Sequence, residues 1–298
     1  MTVPVFTHPD CLLHDPGPGH AESTARLPAI LDRLKQAPDV LLHTVPAATI
    51  EPILRVHPRS HLVSLEGVSR TGGGQVDPDT FLNARTWDAV LGATGAVLAA
   101  LYHCLEGKGH AFAAVRPPGH HALYQQAMGF CLVNTVVVAA REAQAQGRER
   151  VLIVDWDVHH GNGTQALVEQ DASIRFVSLH QSPWYPGTGA ADERGVGNIF
   201  NVPLPPDLPP ARYVTDLWNA IVHATTGWSP TAILISAGFD AMAGDPLGGF
   251  TLEPEHYADL TRRIRERFVD VALVGLLEGG YAPRRVAEGV LSHVRALG

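Results

Sequence analysis

The sequence predicts an α/β fold: a single domain with an open, mainly parallel sheet and helices on both faces. Short apolar runs rich in β-branched residues alternate with amphipathic helical repeats. Most of the runs are apolar throughout or nearly so, which fits strands covered on both faces. Strands that alternate with helices build a layered α/β sheet. The 298 residues suit one large domain, and 45% hydrophobic residues supply its core.

The elements follow in chain order. Leu27, Ile30, Leu31 and Leu34 recur at helical spacing, as do Trp87, Val90, Leu91, Thr94, Val97, Leu98 and Leu101. The charge-free stretch Ala89–Leu105 carries Gly92, Thr94, Gly95 and His103 and reads as a buried core helix, not a membrane span. A strand is expected at 111–115, a helix at 134–145, and strands at 151–154, 174–179 and 232–235. Tyr257, Leu260, Ile264 and Phe268 mark a further helix, 271–277 the last strand, and Val286, Val290, Val294 and Leu297 the last helix. The Pro/Gly-rich pieces at 15–20, 71–80, 183–189 and 203–210 read as loops.

Composition excludes some functions. Twenty-two basic against thirty acidic residues leave a net charge of −8, which disfavours a nucleic-acid or anionic-membrane surface. Three cysteines, Cys11, Cys104 and Cys131, make no disulfide framework and have no metal-site spacing, and the first ten residues show no signal peptide. A reducing cytoplasm is the expected location. Sixteen histidines against three methionines direct attention to where the histidines cluster, because imidazole titrates near neutrality and ligates metals.

They cluster at the ends of the predicted strands. The first run leads into Arg116-Pro-Pro-Gly-His-His121 and the second into Asp155-Trp-Asp-Val-His-His-Gly-Asn-Gly163. The others reach Ser178-Leu179-His180, Ser236-Ala-Gly-Phe-Asp240 and Leu277-Glu-Gly-Gly-Tyr281. Ligands of open α/β sheets bind outside the carboxyl ends of the strands. Asp157 and His159, two apart in an extended segment, point the same way, and Asp240 is the candidate third ligand. Two carboxylates and one imidazole suit catalytic zinc with an open position for water, with iron(II) as the alternative. The adjacent His120 and His121 take different roles if Asp155 stands behind one and Asn162 behind the other. Tyr281, after two glycines, is placed to donate to a developing oxyanion.

These motifs resemble the histone deacetylase superfamily, in its class II-like branch of bacterial deacetylases and acetylpolyamine amidohydrolases. The matching stretches are Arg-Pro-Pro-Gly-His-His at 116–121, Gly-Phe-Cys-x-x-Asn at 129–134, Asp-Trp-Asp-Val-His-His-Gly-Asn-Gly-Thr-Gln at 155–165 and Tyr-Pro-Gly-Thr-Gly at 185–189. Ser-Ala-Gly-Phe-Asp-Ala at 236–241, Asp-Pro-Leu-Gly-Gly at 245–249 and Leu-Glu-Gly-Gly-Tyr at 277–281 complete the set. The resemblance implies one catalytic domain over 1–298, with zinc on Asp157, His159 and Asp240. It implies His121 as general base and then acid, His120 backed by Asp155 as an electrostatic partner, and Tyr281 as carbonyl donor. Phe130, after Gly129, and Tyr185 would wall a narrow acyl-lysine tunnel with Leu247 near its mouth. A structural potassium ion would sit on Asp155, Asp157, His159, Ser178 and Leu179. Asn162 behind His121 agrees with the class II branch. The proline common before Glu22 is absent, a departure expected to touch only a rim loop.

The expected reaction is hydrolysis of an N-acetyl-lysine amide. Acetylated polyamine presents the same leaving group and remains an alternative substrate. A silent acyl-group binder and a two-manganese hydrolase on the related arginase-like fold are the other readings. The loops at 77–80 and 183–189 are candidate rims, with Asp77 or Asp79 placed to orient a substrate amide. The chain lacks a long dimerising insertion, so a monomer is expected.

Overall fold

The computed structural model describes residues 2–298. In chain order it contains β1 (Val3–Thr7), α1 (Arg26–Lys35), β2 (Val40–Thr44), α2 (Arg59–Arg70), β3 (Gly73–Asp77), β4 (Thr80–Asn83), α3 (Thr86–Leu105) and β5 (Ala111–Ala113). Then come α4 (Thr135–Ala145), β6 (Val151–Asp155), α5 (Asn162–Val168), β7 (Ile174–Gln181), β8 (Ile199–Leu204), α6 (Pro210–Ala224), β9 (Ala232–Ala237), α7 (Pro254–Arg267), β10 (Ala272–Leu277) and α8 (Pro283–Leu297).

Eight strands form one sheet in the order β2-β1-β5-β10-β9-β6-β7-β8, every pair parallel. The last two strands in sequence fill the gap between β5 and β6. Four central neighbours, β5-β10-β9-β6, therefore end side by side although their residues span most of the chain. Helices α3 and α4 pack on one face, while α1, α8, α7 and α6 make the other layer. β6 and β9 are buried at every position, as the unbroken apolar runs require. The apolar helix α3 is long enough to cross a membrane, and here most of it is buried against β1, β5, β10 and α4.

All five predicted strands and all five helices are present, with ends shifted by a few residues. Two stretches read as loops are not loops throughout. The segment 71–80 contains β3, which pairs antiparallel with β4 in a small hairpin off the main sheet. The stretch 203–210 begins inside β8, where Pro203 is tolerated because β8 is an edge strand and needs no donor on its outer side.

Candidate active site

The metal ligands expected from the sequence meet. Single donor atoms of Asp157, His159 and Asp240 lie within 4.8 Å of one another, and all three residues are buried. His159 Nδ1 is 3.0 Å from Asp157 Oδ1 and 3.2 Å from Asp240 Oδ2. The convergence has a different local cause from the one expected. Residues 157–159 form a bend beyond β6, not an extended segment, and Asp157 Oδ1 accepts the His159 N–H at 3.0 Å. Asp240 Oδ1 accepts the Val158 N–H at 2.8 Å, and Asp157 Oδ2 accepts the Gly279 N–H at 2.8 Å. The second carboxylate oxygen of Asp240 is buried with no hydrogen bond.

That orphaned oxygen tests whether a cation fits. An uncompensated buried carboxylate oxygen is costly, and an imidazole nitrogen and a second carboxylate face the same point. His159 feels burial pulling its pKa down, yet the two aspartates prevail and push it up to about 10. The donor set is electron-rich and lacks a thiolate, so it fits one divalent ion with a position left open. A side chain at Gly279 would fall on Asp240 Oδ2 and Asp157 Oδ2, so only glycine leaves these carboxylates in place.

The paired histidines stand above this cluster with their rings 4.0 Å apart, centre to centre. Their partners are those expected. His120 Nδ1 lies 3.0 Å from Asp155 Oδ2, and His121 Nδ1 lies 2.7 Å from Asn162 Oδ1. Burial works against the charge of both. At His120 the Asp157 and Asp155 carboxylates outweigh it and raise the imidazole well above its ordinary range. At His121 burial is reinforced by the neighbouring His120 and His159, and the imidazole is held well below it. Asn162 Nδ2 points to Met128 Sδ at 3.4 Å, which leaves Oδ1 as acceptor for a His121 Nδ1–H. Nε2 of His121 is then the free basic atom.

A cavity of about 230 Å³ opens onto these residues, lined by Asp79, His121, Gly129, Phe130, His159, Trp184, Tyr185, Leu247 and Tyr281. Its walls are aromatic: Tyr185 meets His121 edge-on at 5.2 Å, and Phe130 meets Tyr281 edge-on at 5.7 Å. All four residues expected along the tunnel line it, and Tyr281 reaches it too. Gly129 has φ +57°, and a Cβ there would strike the His121 ring. Phe130 follows at φ +67°, a left-handed conformation that turns its ring into the cavity at some cost in strain. The β3–β4 turn holds this bend, because Asp79 Oδ1 accepts the Gly129 N–H at 3.0 Å and Thr80 Oγ1 accepts the Phe130 N–H at 3.0 Å. Of the two candidate rim acids, Asp79 lines the cavity and Asp77 does not.

Burial also raises the Tyr281 phenol well above its ordinary value, so it stays a proton donor. Its N–H is held by Asp245 Oδ2 at 2.6 Å, and the Arg26 guanidinium lies 5.0 Å from its ring centre. Arg26 belongs to a fully buried ion cluster. Glu22 pairs with Arg26 at 2.7 Å and bridges to Arg116. Burial alone would raise the Glu22 carboxyl, but Arg116, His14 and Arg26 hold it far below the ordinary carboxylate range. Glu22 is thus a core anchor behind the Tyr281 loop, while Ala21, where the family's proline is absent, is half-buried in the bend before it. Of the five residues expected around potassium, Asp155 is paired in register with Ser178, Leu179 is next along β7, and the Asp157 N–H donates to Asp155 Oδ1 at 3.1 Å.

Sequence reasoning missed Trp184. The residue is 45% exposed at the cavity mouth, and its Nε1–H donates to the Leu247 carbonyl at 2.7 Å, tying the two mouth loops together. The signal was the Trp184-Tyr185 pair among two prolines and two glycines, which was read for Tyr185 alone.

A central parallel sheet that delivers paired imidazoles, a carboxylate–histidine cluster and a phenol to the floor of a narrow cavity defines a hydrolase of the deacetylase and amidohydrolase class. The chain belongs to the histone deacetylase family: the histone deacetylase domain matches residues 20–297. It is 37% identical over 277 residues to a histone deacetylase-like amidohydrolase from Pseudomonas aeruginosa, covering 89% of this chain and 73% of that one. A probable deacetylase from Archaeoglobus fulgidus is 35% identical over 98% of this chain and 84% of its own. Among solved structures, the HD domain of HDA15 superposes with a TM-score of 0.94 at 34% identity, over 99% of this chain and 88% of that one. An acetylpolyamine aminohydrolase from Burkholderia pseudomallei gives 0.90 at 25% identity, over 100% and 99%.

Proposed function

We propose that the chain is a zinc-dependent deacetylase that hydrolyses the amide of N-acetyl-lysine to a free amine and acetate. One observation carries this reading: two touching histidines have opposite partners, Asp155 and Asn162, directly beside the Asp157–His159–Asp240 cluster. Zinc bound by that cluster would polarise the amide carbonyl and acidify a water.

The protein's own groups supply the rest. Neutral His121 takes a proton from the attacking water at Nε2. Asp155 keeps His120 cationic, and that charge steadies the anion forming beside it. Tyr281, protonated, donates to the carbonyl oxygen as it gains charge. His121 then returns its proton to the departing nitrogen. Phe130 and Tyr185 sheathe the aliphatic stem of the lysine, which has no polar atom to satisfy before the amide. Asp155, Ser178 and Leu179, together with Asp157 and His159, are the proposed potassium site behind the cluster.

A second reading, hydrolysis of N-acetylated polyamine, draws on Asp79. Its carboxylate lines the cavity, and no lysine or arginine does, so a cationic chain would be drawn in. Acetate release from acetyl-lysine peptides, free acetyl-lysine and acetylated polyamines, ranked by kcat/KM in one assay, separates the two. The first reading expects a peptide to lead. A leading polyamine moves the assignment to the second reading, and no acetate from any of them contradicts both.

A further inference from the structure

Glu278 has no part in the reaction as written, yet its placement is unusual. It follows β10 at the centre of the sheet, is 1% exposed, and no lysine or arginine pairs with its carboxylate among the described residues. A buried carboxylate that forms no salt bridge persists only when its oxygens are well satisfied. Oε2 accepts the Gly119 N–H at 2.7 Å and the His120 N–H at 3.2 Å, and Ser236 Oγ donates to Oε1 at 3.1 Å.

These two amides need such a partner. β5 ends at Ala113, so the segment carrying His120 and His121 leaves the ladder and must place its buried N–H groups elsewhere. The segment cannot simply shift, because a Cβ at Gly119 would already crowd Val133 O and Thr135 N. The main chain around Glu278 is fixed as well. Arg26 donates to the carbonyls of Glu278 and Gly280, both at 2.5 Å, and the Gly279 N–H is bound to Asp157. One short turn therefore touches the histidine segment through its side chain, a proposed metal ligand through its backbone, and ends in Tyr281.

We propose that Glu278 is a positioning residue: its carboxylate fixes the His120–His121 main chain relative to Tyr281, so that base and oxyanion donor face one amide. This rests on the deacetylase reading. The role is geometric and does not require charge. A glutamine can keep all three bonds, with its oxygen toward the two amides and its NH₂ toward Ser236 Oγ.

Three variants and two readouts test it. Glu278→Ala should lower kcat by about 10- to 100-fold with KM changed by less than about twofold, the size expected when reacting groups move by about 1 Å. Glu278→Gln should stay within about threefold of the parent, and Glu278→Asp, too short to reach both amides and Ser236, should lose as the alanine does if that variant fails to fold. Amide hydrogen exchange at Gly119 and His120 should be slow in the parent and the glutamine variant and fast in the alanine or aspartate variant. Parent-like kcat and exchange in the alanine or aspartate variant would overturn the proposal. Equal loss in the glutamine and alanine variants would overturn it too, since charge would then be the requirement. Absence of acetate release by the parent would sink the deacetylase reading alone, because amide exchange reports on the anchor without turnover.

Discussion

The histidines beyond β5 and the histidine on the buried face of α8 are both deeply buried, and they are chemically opposite. His293 sits among Phe112, Trp156 and Phe239, with Nδ1 against Thr261 Oγ1 at 2.7 Å and Nε2 unpartnered. Nothing ionic faces it, so burial alone drives its pKa down to about 3. His120, just as buried, has Asp155 and Asp157 beside it and is driven upward instead. His121, one residue further, has an amide for a partner and follows burial downward. Burial of an imidazole does not make a catalytic residue. The partner behind the ring sets its charge, and a cavity in front of it gives that charge something to act on.

Substitutions sharpen this contrast in order of size. His121→Ala removes the only neutral imidazole that lines the cavity beside His159, and loss of a general base costs about 10²–10⁴ in rate. Initial rates of acetate release check it, and a loss under tenfold would mean another group carries the proton. Tyr281→Phe should cost about 10²–10³, roughly 3–4 kcal/mol of oxyanion stabilisation, while metal content stays at the parent level. A near-parent rate would remove the phenol from the reaction.

The core histidine should show no effect on rate but an effect on stability. His293 has its folded pKa lowered to about 3, against about 6.5 for an unfolded histidine. The unfolded chain therefore binds the extra proton first, and stability falls as pH drops below about 6.5, by up to ~1.4 kcal/mol per pH unit for this group. Urea midpoints at pH 7 and pH 5 should converge in His293→Leu relative to the parent. An unchanged slope would show that the ring does not titrate on unfolding.

Much of this was legible in the sequence where one local rule governs. Runs apolar at every position gave β6 and β9, a nearly apolar one gave β7, and the polar clusters after them gave the site, including the Asp155 and Asn162 partners. β1 and β2 were missed, since Pro4 and the half-exposed pattern of 40–44 blur the apolar signal. α2 and α6 were passed over although both bury one face at helical spacing: Tyr213, Val214, Leu217, Ile221 and Ala224 in α6, and His61, Leu62, Leu65 and Ser69 in α2, where two of the four are polar. Glu278 and Glu22 read as ordinary charged residues because their meaning lies in partners across the fold: Gly119 is 159 positions from Glu278, and Arg116 is 94 from Glu22. Trp184 was hidden for a similar reason, its partner Leu247 lying 63 positions on.

The central claim is that Asp157, His159 and Asp240 hold one divalent ion. Elemental analysis of the purified parent and of Asp240→Ala tests it directly. The account predicts about one zinc or iron per parent chain, with the ion and acetate release both lost in the variant. A variant that keeps its full complement of metal, or a parent that carries about two ions per chain, would contradict it.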